Sequence, residues 1–165
     1  MTLLGMFRPG MRAYVIPLTA GVALSASAFL PWVVVGGVSL PGVPETAALW
    51  VTGLGAAAAL LSILSLITRR NSRHPLLLVG LIALAITFLS FRILPTTARD
   101  RALTVSQAFA IVESTPTADA PPSVAGTGLY LGLAASAVLV GFGLTIVIKR
   151  VAQPYAVDHP DDDVV

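Results

Sequence analysis

A chain of 165 residues that is 56% hydrophobic and only 11% charged is a poor match for a water-soluble fold, because average soluble domains carry about 25% charged residues. The formal net charge of +2 is too small to point to nucleic acid. The absence of cysteine excludes disulfides, thiolate catalysis, iron–sulfur clusters and thiolate zinc sites.

The N-terminal segment 1–12 carries Arg8 and Arg12 and no acid. A long apolar stretch follows, over about 13–35. Ala26-Ser27-Ala28 resembles a small-x-small cleavage site, but the run continues through Phe29, Leu30, Trp32 and the three valines 33–35. That length predicts an uncleaved membrane span, with Pro17 and Pro31 near the two interfaces. The Gly- and Pro-rich segment 36–46, with a lone Glu45, is predicted as a short outer loop.

A second span is predicted over about 47–68, with Trp50 near its start and Arg69-Arg70 after its end. The link 69–74 is short and basic, and Pro75 suits the first turn of a third span over about 76–94. Pro95 closes that stretch. Within the polar segment 96–125, Ala102, Val105, Phe109 and Val112 recur at three, four and three residues. This spacing predicts a short amphipathic helix lying on the membrane or capping the bundle. Residues 114–125, with three prolines, read as an irregular linker. A fourth span over about 128–148 ends at Lys149-Arg150, and 151–165 is expected to be a flexible, acidic cytoplasmic tail. Residues 1–150 thus make one four-span membrane domain.

Basic residues near span ends set the orientation. Arg8, Arg12, Arg69, Arg70, Arg73, Lys149 and Arg150 fall on one side, against Arg92, Arg99 and Arg101 on the other. Both termini and the middle link are therefore expected in the cytoplasm, with 36–46 and 96–125 outside. Trp32, Trp50 and Tyr130 fall at outer span ends and are expected as interface anchors. Arg92, near the end of span three, is expected to reach the outer headgroups.

Chemistry-bearing groups are sparse. The middle of every span lacks Asp, Glu, Lys, Arg and His, which argues against proton-coupled transport. His74 and His159 sit in the basic link and the tail, without a second ligand at metal spacing, so no metal or cofactor is expected. Ser62, Ser65 and Ser90 have no acid or histidine nearby in sequence, and no phosphate loop or dinucleotide fingerprint occurs. The strongest positional pattern concerns packing: small residues four apart at Gly21 and Ser25, Gly55 and Ala59, Gly128, Gly132 and Ser136, and Ala137 and Gly141. Such pairs let helix backbones approach closely, within the bundle or against another membrane protein.

Residues 29–42, from Phe29-Leu30-Pro31-Trp32 to Pro41-Gly42, and Gly126-Thr127-Gly128-Leu129-Tyr130-Leu131-Gly132-Leu133 at the start of span four resemble a broad group of small bacterial four-helix membrane proteins without assigned function. The resemblance implies an aromatic-ended first helix, a Gly-rich outer loop and no catalytic residues. The expected fold is all-α: a four-helix transmembrane bundle with a short amphipathic helix in the second outer loop. The expected function is a non-catalytic accessory or scaffolding subunit of a larger bacterial inner-membrane complex. Its expected partners are lipid and other membrane proteins, met through the small-residue seams or segment 96–125. The alternative is a small channel, transporter or lipid-binding protein, with Ser62, Ser65, Thr87 and Ser90 lining an oligomeric pore.

Overall fold

A computed structural model of the chain describes residues 12–68, 73–114, 116 and 121–151. Arg69, Arg70 and the acidic tail lie outside the described residues. One 3-10 turn, Arg12–Tyr14, leads into helix α1, Val15–Ser27. A hairpin of strands β1, Pro31–Val35, and β2, Val38–Pro41, comes next. Helix α2 is Thr46–Thr68, α3 is Arg73–Glu113, strand β3 is Ser123–Ala125 and α4 is Thr127–Val151.

Three of the four helices, α2, α3 and α4, are long and apolar enough to cross a membrane. At about 1.5 Å per residue, α2 alone is roughly 35 Å long, against about 30 Å of hydrocarbon. The fourth helix, α1, has only 13 residues. The stretch 13–35 is therefore not one span. Pro31 has no amide hydrogen to continue the helix, and it biases Leu30 toward extended geometry. The β-branched Val33, Val34 and Val35 then favour a strand. Gly36 and Gly37, at φ of 55° and 85°, form the two-residue turn. Two successive positive φ angles match the twist of a tight hairpin, and glycine adopts them at least cost.

The all-α expectation is corrected by the resulting antiparallel sheet, in the order β2-β1-β3. Val33, Val34 and Val35 pair with Ala125, Val124 and Ser123. The amide of Gly126 donates to the carbonyl of Trp32 at 2.7 Å, and that of Gly36 to Pro122 at 3.0 Å. These bonds stitch the segment before α4 to the hairpin after α1. The linker read as irregular thus supplies a strand.

The expected separate amphipathic helix is instead the upper half of α3, which runs through Pro95 without a break. A proline inside a helix forfeits one backbone bond and crowds the preceding turn. Here the hydroxyls of Thr96 and Thr97 both donate to the carbonyl of Ile93, at 2.8 and 3.0 Å, and bind the turn around the proline.

The bundle is apolar outside, and its core carries hydroxyls beside Leu24, Val51, Leu76, Leu129 and Leu139. Ser27, Ser62, Ser65, Thr87 and Ser136 are buried, while Leu60, Ile67, Leu78, Phe88 and Leu89 are exposed. Water would drive the opposite arrangement. Each of these five hydroxyls is satisfied within its own helix: Ser27 donates to Leu24 at 2.6 Å, Ser62 to Ala58 at 2.7 Å, Ser65 to Leu61 at 2.8 Å, Thr87 to Ala83 at 2.8 Å and Ser136 to Leu133 at 3.0 Å. Small side chains on the inner faces let the helices approach, which is how packing is gained when the surroundings are as apolar as the core.

Candidate hairpin-end cleft and helix face

The end of the bundle that carries the hairpin is organised around Trp32. Its indole is 1% exposed, although the sequence pointed to the interface. The ring nitrogen donates to the carbonyl of Ser27 at 2.9 Å, which folds β1 back over the end of α1. Gly42 and Gly128 close on the ring: a Cβ at either position would come within 2.7 Å of an indole carbon. Trp50 and Tyr130, in contrast, point outward, with Trp50 64% exposed. Tyr130 also meets Phe91 edge-on, with ring centroids 5.4 Å apart. Arg92 is exposed, on the same turn of α3 as Phe91.

The small-residue positions divide between inside and outside. Gly21 and Gly55 lie in the contact of α1 with α2, where a Cβ on Gly21 would sit 2.8 Å from the backbone of Ala59 and of Gly55. Ser25 donates to the carbonyl of Thr52 across the same contact at 3.0 Å. Gly132 faces Ser27 and Thr87, and Ser136 is buried. Ala137 and Gly141 face outward, and a Cβ on Gly141 would meet nothing within 4 Å. A further seam was not singled out by spacing: Gly80 and Gly143 join α3 to α4, against Leu139 and Leu77. The two glycines are on different helices, so no single-helix motif signals them. Of the basic residues expected at the cytoplasmic surface, Arg73, Lys149 and Arg150 belong to α3 and α4, at the end opposite Trp32.

Between the hairpin and α3 is a cleft of about 370 Å³. Trp32 and Val33 form its floor, Leu40 and Val43 one wall, and Leu94 and Ala98 the other. Glu45 and Arg101 stand at its polar edge, with Nη1 3.6 Å from Oε1. Sequence spacing could not bring these two together, because 56 positions separate them. Among the described residues no three metal-ligating side chains cluster, and His74 is exposed.

One face of α3 runs the length of the molecule. Leu76, Gly80, Ala83, Thr87 and Ser90 are buried in the bundle, at spacings of four, three, four and three. Continuing at about 3.6 residues per turn, the same face reaches Leu94 and Ala98 in the cleft, then Val105, Phe109 and Val112. Those last three are 55, 61 and 81% exposed. The opposite side of the helix, by contrast, is covered at Ala110. The helix face that holds the bundle together is thus left uncovered above the hairpin. No family model, curated protein or solved structure matches this chain, so the likeness to small four-helix membrane proteins rests on residues 29–42 and 126–133 alone.

Proposed function

We propose that the chain is a non-catalytic accessory or scaffolding subunit of a bacterial inner-membrane assembly, multi-pass, with the α2–α3 link and the end of α4 on the cytoplasmic side. The observation that carries this reading is the uncovered upper face of α3. Val105, Phe109 and Val112 are exposed on a helix that continues about 20 residues, or roughly 30 Å, past the Phe91–Tyr130 contact. A contiguous apolar patch on a segment that leaves the bundle marks a contact surface. Its natural occupant is an apolar helix of another membrane protein, which would continue the packing that α4 provides lower down. The outward Ala137 and Gly141 of α4 offer a second place for close helix approach. The excess of Lys and Arg at the α2–α3 link and in the last turn of α4 supports the cytoplasmic assignment.

A pore lined by Ser62, Ser65, Thr87 and Ser90 has less support, because the hydroxyls of Ser62, Ser65 and Thr87 are turned back on their own helices. Gentle solubilisation from native membranes tests the proposal. We expect a particle larger than the lone chain, lost in a Phe109→Ser, Val112→Ser double variant that keeps its helix content and membrane location. A lone chain in native membranes, or a complex indifferent to those substitutions, contradicts it.

A further inference from the structure

We propose that the cleft between the hairpin and α3 binds one zwitterionic phospholipid of the phosphatidylethanolamine type, with an acyl chain over Trp32 and the headgroup across Arg101 and Glu45. The cleft volume of about 370 Å³ falls in the roughly 300–1,000 Å³ range of small-ligand sites. Its floor and walls are aliphatic or aromatic, with the charged pair on one edge. That division matches an amphiphile, an apolar tail beside a charged head.

The depth also fits. Glu45 directly precedes α2, whose first turns carry the outward Trp50, and Tyr130 points outward at the same end. Aromatic residues so placed mark the headgroup zone of a spanning bundle. The cleft would then lie at the headgroup level, with its charged edge among phosphate and amine groups.

The charge pair selects the head. Arg101 and Glu45 are 3.6 Å apart, beyond ordinary hydrogen-bond distance, and are 72 and 54% exposed. An exposed pair with such geometry is weakly held. A phosphate can take the guanidinium, which presents a planar fork of donors. An ammonium with N–H donors can take the carboxylate. A phosphatidylglycerol head would set its anion beside Glu45 with nothing to offset it, and a choline head has no N–H to donate. The inference is independent of the accessory reading, because it concerns a single chain and its lipid.

The test is native mass spectrometry of the full chain released from vesicles of equal phosphatidylethanolamine, phosphatidylglycerol and phosphatidylcholine. The expected result is one retained phosphatidylethanolamine per chain, enriched at least threefold over either competitor. Glu45→Gln should abolish the preference over phosphatidylglycerol, and Arg101→Gln should lower retention of all three. Both positions are exposed, so neither substitution threatens folding. Ala98→Leu should narrow the cleft and displace the lipid without changing the headgroup order of whatever remains. Retention in proportion to the mixture, enrichment of phosphatidylglycerol, or an enrichment that survives both charge substitutions would overturn the proposal.

Discussion

The indole nitrogen of Trp32 reaches back five residues to the carbonyl of Ser27 at 2.9 Å, and this bond sets the strand that follows α1 against the helix end. The ring is also held between Gly42 and Gly128, so α1, the hairpin and the start of α4 all meet on one side chain. Trp32→Phe keeps most of the volume and loses the bond, at a cost of about 0.5–1.5 kcal/mol. Trp32→Ala also opens a cavity, at about 3–5 kcal/mol. Thermal unfolding in detergent monitored by circular dichroism should give that order.

Trp32 and Trp50 should also differ in their exposure to lipid. With Trp32→Phe the remaining emission comes from Trp50 and should be quenched strongly by brominated acyl chains. With Trp50→Phe the buried Trp32 should be quenched weakly. Equal quenching in the two variants would contradict the burial of Trp32.

The contact of α1 with α2 predicts a contrast between two glycines two residues apart. Gly55 has no room for a Cβ, which would lie 2.5 Å from the Ser25 hydroxyl and 2.6 Å from its amide nitrogen. Gly53 has open space around it. Gly55→Ala should therefore cost about 1–3 kcal/mol through overpacking, whereas Gly53→Ala should be neutral or slightly stabilising. Unfolding of the two variants in the same detergent compares them directly.

The hairpin turn offers a test of backbone conformation alone. Gly37 has φ of 85° and nothing within 4 Å of a would-be Cβ. Gly37→Asn should be mild, since asparagine tolerates positive φ, whereas Gly37→Val should cost about 1–3 kcal/mol. Amide exchange at Gly36, whose N–H is bonded to the Pro122 carbonyl, should quicken in the valine variant and change little in the asparagine one.

The sequence makes the apolar helices legible, because an uninterrupted run of about 20 apolar residues matches the thickness of a bilayer. The ends of α2 and α4 fall within a few residues of the expected spans. Two boundaries mislead for opposite reasons. The stretch 13–35 is apolar throughout, and hydropathy cannot separate Ser27 from Val33, although Pro31, the three valines and Gly36-Gly37 together spell a hairpin. At Pro95 the sequence carries a strong stop signal, and the helix passes it because Thr96 and Thr97 bond to Ile93. The four-residue spacing of Gly21 with Ser25 and of Gly55 with Ala59 pointed to real small-residue positions, but not to which helices they join. The pairing of Glu45 with Arg101, and the cleft it borders, depend on where the hairpin lands, which no local pattern encodes.

The buried hydroxyls predict a small effect. Ser62→Ala and Ser65→Ala remove bonds to carbonyls of their own helix turns, and each should shift stability by less than about 1 kcal/mol. Reconstituted vesicles should show no change in ion leak on these substitutions. A leak that depends on them would revive the channel reading.

The whole account depends on hydrocarbon lying against the exposed faces of α2, α3 and α4. Alkaline carbonate extraction of native membranes followed by ultracentrifugation measures this most directly. The account predicts that the chain stays in the pellet and is released only by detergent. Recovery in the aqueous supernatant would contradict it.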